Sequence, residues 1–310
     1  MFAWPRKRSA ARPWRSPGIG GVTVQDRRSF LAALGAAAGS SVLAAAGLGC
    51  APASQSAATG RRLRPIGVQL YTLRREMERN VEATLARVAQ IGYREVEFAG
   101  YFNREPTALR MTLTANGLSA PSAHIPLEVL RDSLGPTIDA ARVLGHEYIV
   151  MPYLEEKDRR TIDDYKRVAE IVNRAAESGQ RAGIRLGYHN HDFEFVPLGR
   201  VLPYDVLLAS LDPALVTMEL DLYWITKAGY DPLTYFAKYP GRFQLVHLKD
   251  SSGPPDNRIV DVGRGVIDWK RIFAQRDQAG IRHYFVENDN PTDDFAAIET
   301  SYRYLSQLEV

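Results

Sequence analysis

The sequence predicts an α/β protein with the (β/α)8 TIM-barrel fold. Short apolar runs alternate with amphipathic segments of helical period eight times between residues 64 and 310. That length is the usual size of one such barrel. The alternative is an open doubly wound sheet, which is disfavoured because no glycine-rich phosphate-binding fingerprint follows the first apolar run.

Each predicted strand is a short apolar run, and the helices between them begin at capping residues or end at glycines. The predicted strands are Ile66–Tyr71, Glu95–Phe98, Ser119–His124, Tyr148–Met151, Ile184–His189, Val216–Asp221, Phe243–Leu248 and Tyr284–Glu287. The predicted helices are about Val81–Ile91, Pro106–Asn116, Val129–Leu144, Asp163–Arg181, Tyr204–Ala209, Pro232–Lys238, Trp269–Ala279 and Asp293–Gln307.

Residues 1–50 resemble a twin-arginine export signal, in which paired arginines precede a mildly apolar segment. The pair is Arg27-Arg28, and the apolar run that follows is rich in Ala and Gly rather than Leu and Ile. Such a run inserts poorly into a bilayer, so a removed signal is favoured over a transmembrane anchor. The predicted organisation is a signal at 1–50, a flexible linker at 51–63 and a catalytic barrel at 64–310, located in the periplasm or otherwise outside the cytoplasm.

Cys50 is the only cysteine, which excludes a disulfide within the chain. It follows Gly47-Leu48-Gly49, and this segment resembles a lipoprotein cleavage box with glycine where leucine is usual. Membrane tethering through a lipidated Cys50 and release without a lipid both stay open.

The charge distribution disfavours a nucleic-acid partner. The whole chain is formally +3, but residues 1–50 hold seven Lys/Arg and one Asp. From Ala51 onward 32 basic residues face 35 acidic ones, a net charge of −3. The basic character belongs to the leader, so the barrel has no evident electrostatic surface for phosphate backbones.

Ionisable side chains gather at the carboxyl ends of the predicted strands, where a TIM barrel keeps its catalytic groups. Four of the six histidines lie there, and alternation along the strand turns His189 and His191 to the same side. The fifth to eighth strands together offer two imidazoles and two carboxylates to one ion. These predicted metal ligands are His189, Asp221, His247 and Glu287. Mixed nitrogen and oxygen ligands suit manganese, cobalt, zinc or iron(II) better than calcium.

Several segments together resemble the xylose-isomerase-like TIM barrels, also called the sugar phosphate isomerase/epimerase superfamily. They are Gly187-Tyr188-His189-Asn190-His191, Glu219-Leu220-Asp221, His247-Leu248-Lys249-Asp250, Val262–Trp269 and Val286-Glu287-Asn288-Asp289. The resemblance implies one divalent ion held by Glu, Asp, His and Glu at the ends of strands five to eight. The last three correspond to Asp221, His247 and Glu287, whereas His189 stands where the first Glu is expected. Glu194, in the following loop, is the alternative fourth ligand.

The departure at His189 removes one of the two metal-bound glutamates that epimerases of this family use on opposite faces of a sugar. We therefore expect one-sided proton chemistry: an isomerase acting on a sugar or keto-sugar, with Glu287 removing the proton α to a carbonyl. His191 or Lys249 would protonate a departing oxygen. The predicted substrate-binding residues are Tyr71, Glu97, His124, Trp224 and Arg264.

Three alternatives accompany this expectation. A metal-dependent lyase or hydratase acting on 3-keto-glycosides uses the same proton abstraction, and a non-catalytic sugar-binding lipoprotein is compatible with the change at His189. A metal-dependent endonuclease is disfavoured by the acidic barrel. Purely structural roles are also considered for single residues: Asp221 as a helix cap, and Lys249 with Asp250 as a surface ion pair. For the lyase or hydratase, and for the sugar-binding lipoprotein, the expected partner is a small carbohydrate.

Overall fold

The structure is a computed structural model, and it describes residues 62–310. The predicted export signal, Cys50 and most of the predicted linker lie outside the described residues. The last linker residues belong to the packed unit, because Leu63 is buried in the core and Arg62 forms an antiparallel bridge with Glu309. The last two residues of the predicted linker, Arg62 and Leu63, are therefore packed against the barrel domain.

Eight parallel strands close into a barrel, which confirms the predicted fold class. They are β1 (Gly67–Gln69), β2 (Glu95–Phe98), β3 (Ser119–His124), β4 (Tyr148–Met151), β5 (Arg185–His189), β6 (Val216–Asp221), β7 (Leu245–Leu248) and β10 (His283–Val286). Neighbours in sequence are neighbours in the barrel, and β10 closes it by pairing with β1. A short antiparallel pair follows β7 and consists of β8 (Asp250–Ser251) and β9 (Ile259–Val260).

Helices connect the strands around the outside, as the alternating sequence pattern predicts. The α-helices are α1 (Arg74–Arg79), α2 (Val81–Ile91), α3 (Pro106–Ala115), α4 (Leu127–Asp132), α5 (Leu134–Leu144), α6 (Ile162–Arg181), α7 (Pro203–Ser210), α8 (Leu222–Lys227), α9 (Pro232–Lys238), α10 (Trp269–Phe273), α11 (Arg276–Ala279) and α12 (Asp294–Gln307). Short 3-10 helices cover Glu156–Asp158 and Phe193–Phe195. Among residues 62–310, no helix has both the length and the apolar character needed to cross a bilayer.

The longest helix, α6, shows how local sequence fixes these elements. Thr161 accepts a hydrogen bond from the amide of Asp164, whose carboxylate accepts one in return from the amide of Thr161. This reciprocal capping box satisfies donors that the first helical turn leaves unpaired. Apolar residues at helical spacing, among them Val168 and Val172, then bury one face of the helix.

A layer of apolar side chains fills the barrel beneath its carboxyl-terminal mouth. Tyr148, Val150, Leu245 and Phe285 form a cluster of their own, separate from the helix-packed core. Leu245 and Phe285 each lie two residues before a predicted site residue, His247 and Glu287, so alternation places the site directly above this layer. The polar groups at the mouth therefore lie directly above a layer of apolar side chains.

Candidate active site

His247 lies at the centre of a buried cluster of imidazoles and carboxylates at the mouth of the barrel. Its Nδ1 is 2.7 Å from Glu287 Oε2, and its Nε2 is 2.7 Å from Glu97 Oε2. Two sets of donor atoms, each within 4.8 Å of one another, share this ring. We name them the inner group (His124, His189, Glu219 and His247) and the outer group (Asp221, His247 and Glu287).

The inner group is organised around one carboxylate. Oε2 of Glu219 is 2.7 Å from His124 Nε2 and 3.2 Å from His189 Nδ1. It is also 3.2 Å from His247 Nε2. The other oxygen, Oε1, is buried and has no hydrogen-bond partner. Glu97 adjoins this group and accepts hydrogen bonds from Gln69 and Ser122.

The strand register explains why the inner group forms. β5 and β6 are staggered so that His189 pairs with Glu219, whereas Asp221 pairs across the next strand pair with His247. Glu219 points into the barrel because it lies two residues before Asp221 on the same strand. Asp221 also lies near His189, as the sequence predicts, with its Oδ2 3.8 Å from His189 Nε2. The sequence prediction omitted Glu219. The same two-residue alternation that linked His189 to His191 could have found it.

The outer group is built around an ammonium ion. Nζ of Lys249 lies 3.0 Å from Asp221 Oδ2, 3.0 Å from Glu287 Oε2 and 2.9 Å from Asp289 Oδ1. Lys249 is only 2% exposed. It therefore does not form a surface ion pair with Asp250, which was the structural alternative predicted from the sequence. Asp221 also caps α8, because its Oδ1 accepts hydrogen bonds from the amides of Tyr223 and Trp224. Asp221 thus caps the helix with Oδ1 and faces Lys249 with Oδ2.

Burial and neighbouring charges set the protonation states at the mouth. Burial, with His247 adding to it, lowers the pKa of His189 to about 3, and burial likewise lowers the pKa of His191 well below its ordinary value. Burial would raise the pKa of Glu287, but Lys249 and His247 hold it well below its ordinary value. At neutral pH the imidazole of His189 is therefore neutral, while Glu287 is ionised.

Lys249 keeps its proton, whereas Asp221 titrates closer to neutrality. Burial opposes the charge of Lys249, yet Asp221, Asp289 and Glu287 raise its pKa well above the ordinary value. Burial raises the pKa of Asp221 to about 6, and Lys249 opposes that rise. An ammonium so surrounded acts as a fixed positive charge and is a poor proton donor.

The loop after β5 turns His191 toward the site and Glu194 away from it. The rings of His189 and His191 lie 5.2 Å apart, as their shared face predicts. Glu194 Oε1 accepts a hydrogen bond from Tyr188, and its Oε2 accepts one from the amide of His191, both at 2.8 Å. Burial raises the pKa of Glu194 to about 8. Glu194 therefore braces the loop and is not brought to either donor group.

Aromatic rings form a wall beside Lys249. The ring of His191 lies parallel to Phe193, with centroids 5.5 Å apart, and 5.3 Å from the ring of Trp224. Tyr153 meets His191 edge-on at 5.1 Å. The Lys249 ammonium is 5.5 Å from the centre of the Trp224 ring. Half-buried Trp224 is part of this wall, and its contact with a substrate stays a prediction.

The remaining predicted substrate residues are divided between the two groups and the surface. His124 is a member of the inner group, and Glu97 contacts that group through His247, so both belong to the buried cluster. Tyr71 is half-buried under the Arg74 guanidinium, 4.1 Å from the ring centre. Arg264 is exposed, and within residues 62–310 its side chain makes no hydrogen bond or ion pair with either group. The structure therefore does not bring Arg264 into the site.

The backbone amides that flank Arg264 bind an anion of the protein itself. Oδ2 of Asp250 accepts hydrogen bonds from the amides of Gly263 and Gly265, at 2.9 and 3.2 Å, and from the indole of Trp269 at 3.0 Å. Its Oδ1 accepts one from the amide of Ile267. Asp250 thereby anchors the loop after β9 next to Lys249.

We expect Gly265→Ala to destabilise the fold by about 2 kcal/mol, because the new Cβ would overlap the Asp250 carboxylate and the Ser251 carbonyl oxygen. Urea unfolding monitored by circular dichroism measures the loss. Gly135→Ala is the matched control, since nothing lies within 4 Å of the added carbon there. Its free energy of unfolding should change by less than about 1 kcal/mol. Equal effects of the two substitutions would contradict the anchoring role of Asp250.

The two groups fit a divalent metal ion. They offer imidazole nitrogens and carboxylate oxygens, and the only cysteine of the chain, Cys50, lies outside the described residues. Glu219 Oε1 is buried without a hydrogen bond, and Asp221 Oδ2 faces Lys249 without hydrogen-bond geometry. Buried carboxylate oxygens need partners, and manganese, cobalt, zinc or iron(II) accepts such a mixed donor set. This buried cluster could bind a metal.

The fold and the site together define a class: a TIM barrel with a buried histidine and carboxylate cluster at its carboxyl-terminal mouth, where barrel enzymes keep their catalytic groups. A family model described as xylose isomerase-like TIM barrel matches residues 85–307. The chain belongs to that family, which confirms the resemblance seen in the sequence.

Named relatives are sugar-modifying enzymes. The chain is 27% identical over 191 residues to the inosose dehydratase of Geobacillus kaustophilus (strain HTA426), covering 54% of this chain and 61% of that relative. It is 23% identical over 241 residues to the inosose dehydratase of Geobacillus thermodenitrificans (strain NG80-2), covering 66% and 80%. The match thus spans about three-fifths of the first relative's length.

Solved structures show the same architecture. A sugar phosphate isomerase/epimerase from Parabacteroides distasonis ATCC 8503 superposes with a TM-score of 0.69 at 28% identity, covering 82% of this chain and 98% of that one. An L-ribulose 3-epimerase superposes with a TM-score of 0.58 at 17% identity, covering 77% and 92%. At that identity the second likeness shows the fold alone.

Proposed function

We propose that the protein is a divalent-metal-dependent lyase of keto-sugars. It would remove the proton α to a ketone and expel the oxygen substituent on the β carbon, as water or as the alcohol of a 3-keto-glycoside. The observation that carries this proposal is the pairing of ionised Glu287 with the permanently charged Lys249 beside the aromatic wall. The similarity to two inosose dehydratases supports elimination. Lyase activity is the alternative expectation from the sequence.

The metal would be held by members of the two donor groups, with the shared His247 as a ligand in either arrangement. When bound, such an ion polarises a ketone oxygen and makes the neighbouring C–H bond more acidic. Predicted ligands His189, Asp221, His247 and Glu287 include residues of both groups. Neutral His189 is ready to donate a nitrogen lone pair.

Glu287 would act as the base. Its carboxylate takes the proton from the α carbon as that C–H bond breaks, and the electron pair moves onto the ketone oxygen. Lys249 stabilises the developing negative charge from beside Glu287. When the ketone re-forms, the bond from the β carbon to its oxygen breaks and the departing oxygen takes the proton back from Glu287. The products are an α,β-unsaturated ketone and water or an alcohol.

This scheme changes the roles that the sequence assigned to Lys249 and His191. Lys249 was predicted to protonate the departing oxygen, but three carboxylates hold its proton too firmly, because they raise its pKa. Neutral His191 carries no proton to spare at neutral pH, so it is assigned to the wall that contacts the substrate with Trp224. One carboxylate that takes and returns the proton needs no second base.

Aldose–ketose isomerisation is the second candidate. The Parabacteroides distasonis structure, an isomerase/epimerase at 28% identity, favours it, and Glu287 could shuttle a proton between neighbouring carbons in the same position. The two reactions differ in their products, since only elimination releases water or an alcohol. Their common requirement is one base on one face of the sugar.

Proton NMR in deuterium oxide tests the proposal directly. Mature protein reloaded with manganese is incubated with inosose and with 3-keto-glycosides, then analysed for vinyl protons of an unsaturated ketone. We expect such signals, and we expect a chelator to abolish them and added manganese to restore them. Signals of a new sugar with deuterium at the carbon next to its carbonyl, and without vinyl protons, would establish isomerisation instead. Binding of sugar without any hydrogen exchange would leave only the sugar-binding lipoprotein.

The sequence also supports a proposed location outside the cytoplasm. Replacing Arg27 and Arg28 by lysine should leave the precursor in the cytoplasmic fraction, because export of this kind depends on the arginine pair. Cell fractionation and immunoblotting measure the distribution, with Arg6→Lys, a substitution outside the pair, as the control. Unchanged export of the doubly substituted chain would contradict the proposed signal. Cys50→Ser in the same assay separates lipid-anchored from released protein.

A further inference from the structure

The two histidines predicted as metal ligands each have one ring nitrogen near a predicted carboxylate ligand and the other near Glu219. We propose that Glu219 is a positioning residue: it accepts a hydrogen bond from one nitrogen of His189 and of His247, so that the other nitrogen of each ring faces the metal ion. This inference rests on the proposed metal dependence, with the ion held by the four ligands that the sequence predicts, and not on the reaction that the protein catalyses.

His189 contacts a different carboxylate with each of its nitrogens. Its Nδ1 is 3.2 Å from Glu219 Oε2, and its Nε2 is 3.8 Å from Asp221 Oδ2. A neutral imidazole carries one hydrogen, and a hydrogen bond to one nitrogen leaves the lone pair on the other. Glu219 therefore favours the form of His189 with its hydrogen on Nδ1 and its lone pair on the Nε2 that faces Asp221.

His247 is held in the same way through the opposite nitrogen. Its Nε2 is 2.7 Å from Glu97 Oε2 and 3.2 Å from Glu219 Oε2. Its Nδ1 is 2.7 Å from Glu287 Oε2. Two buried carboxylates thus fix a hydrogen on Nε2, and Nδ1 is the nitrogen left for the ion. Glu97 shares this role at His247, but Glu219 is the carboxylate common to both rings.

The strand register places Glu219 directly beneath the predicted ligands. On β6, Glu219 lies two residues before Asp221, so both side chains point into the barrel, with Glu219 one layer deeper. Glu219 pairs across the sheet with His189, and Asp221 pairs with His247. One strand therefore supplies a ligand and, below it, the group that orients the two neighbouring imidazoles.

The surroundings of Glu219 agree with such a role. Its side chain is fully buried, and its Oε2 is also 2.7 Å from the Nε2 of a third imidazole, that of His124. Among the described residues, Oε1 has no hydrogen-bond partner, and no lysine or arginine pairs with the carboxylate. Its polar contacts are thus imidazoles. Carboxylates that hold the second nitrogen of a histidine ligand orient the ring and make it a stronger ligand.

Lys249 does not prevent an ion from lying between these ligands. Its ammonium is 3.0 Å from Asp221 Oδ2 and from Glu287 Oε2, the oxygens that the ion would need. It is also 2.9 Å from Asp289 Oδ1. Asp289 is not a predicted ligand, so it keeps a carboxylate for the ammonium when an ion takes the other two oxygens.

The proposal also states which pairs of side chains are compatible at positions 189 and 219. A glutamate at position 189 would bring a second carboxylate to Glu219 with no hydrogen between them, and buried like charges repel. An imidazole instead donates a hydrogen to Glu219 and still offers a nitrogen to the ion. A glutamine at position 219 would restore a hydrogen bond to a glutamate at 189, because its amide is a donor.

Nitrogen-15 NMR of the unsubstituted protein, labelled at histidine and loaded with zinc, tests the proposal without any variant. We expect His189 to carry its hydrogen on Nδ1 and zinc on Nε2, and His247 to show the reverse arrangement. Zinc on Nδ1 of His189 or on Nε2 of His247 would overturn the inference. Ring signals that zinc does not shift would overturn it together with the proposed metal dependence.

Cobalt(II) affinity of three variants gives an independent test. Glu219→Gln is expected to weaken binding by about 10- to 100-fold, the loss typical of residues that orient ligands. His189→Glu should weaken it further, and the double variant should bind at least about tenfold more tightly than His189→Glu alone. If Glu219 only filled space, the two losses would add, and that result would overturn the inference.

Glu95→Gln is the matched control for these affinities. Glu95 is another buried barrel glutamate that pairs with a histidine, His283, at 2.9 Å, but at the opposite end of the barrel. Its substitution should change cobalt(II) affinity by less than about twofold. Circular dichroism and thermal unfolding of each metal-free variant verify the fold.

These measurements separate the inference from the proposed function. The expected tautomers and the rescue in the double variant, without turnover of any keto-sugar, would confirm the role of Glu219 and count against the lyase. Metal-dependent elimination by a protein with the opposite tautomers would overturn the role of Glu219 alone.

Discussion

Glu287→Gln is expected to lower kcat for keto-sugar elimination by about 1,000-fold, within the range contributed by general base catalysis. The amide has the size of the carboxylate but cannot take a proton from carbon. It can still accept a hydrogen bond from His247 or Lys249, so the substrate should bind with a similar KM. The measurement is the initial rate of vinyl-proton formation, by NMR, with fully metal-loaded protein at saturating ketone.

Glu95→Gln is the matched control for that loss. Glu95 is also a buried glutamate at the end of a barrel strand, but it lies at the opposite end of the barrel and pairs with His283 at 2.9 Å. Its substitution should change kcat by less than about twofold, because it contacts no group at the mouth. If Glu287→Gln kept a tenth or more of the wild-type kcat, the base would have to be another residue.

Much of the fold follows from local sequence, since apolar runs and caps fix most elements. Strands such as β6 end where predicted, and α6 begins at Ile162, one residue before its predicted start, and ends at Arg181 as predicted. One predicted helix is interrupted at Ser133, which separates α4 from α5, although the apolar spacing continues through it. Helix α8 was missed because its first residues, Leu222 to Trp224, have the bulky apolar character of a strand end.

The site was predicted less completely because the barrel staggers its strands. A sequence gives the last residue of each strand but not the height at which that residue stands, and closing a barrel requires a fixed offset between neighbours. That offset pairs His189 with Glu219 and Asp221 with His247. His247 lies opposite Phe285 in the barrel, and Glu287 comes directly after β10, so both stand at the same mouth.

Residues after a strand end were harder to place. Lys249 and Asp250 are adjacent in sequence, yet one faces the outer group and the other anchors the loop at Gly263 and Gly265. The sequence shows both charges but not that the two side chains point to different partners. Arg264 shows a related difference, because the amides of its neighbours Gly263 and Gly265, and not its side chain, bind the carboxylate of Asp250.

Lys249→Met is expected to destabilise the metal-free fold by about 3 kcal/mol, because removing one partner of a buried ion pair leaves uncompensated charge. Asp221, Glu287 and Asp289 would then face one another without the ammonium that lies 2.9–3.0 Å from them. Methionine keeps most of the buried stem, so the loss reports the charge and not the packing. Urea unfolding at neutral pH measures it.

Lys227→Met is the control for this loss, since Lys227 pairs with Asp192 at 2.8 Å on the surface. Its substitution should lower the free energy of unfolding by less than about 1 kcal/mol.

The pH dependence of the stability difference between wild type and Lys249→Met gives a second check. Although burial raises it, the pKa of Glu287 is held well below its ordinary value by Lys249 and His247. A carboxyl group of this kind stabilises the fold above its unfolded pKa, about 4.3, and loses that contribution as the pH falls through its folded pKa. The gap between wild type and Lys249→Met should therefore be widest near neutral pH and narrow in acid; a gap that does not depend on pH would show that packing, and not charge, is lost.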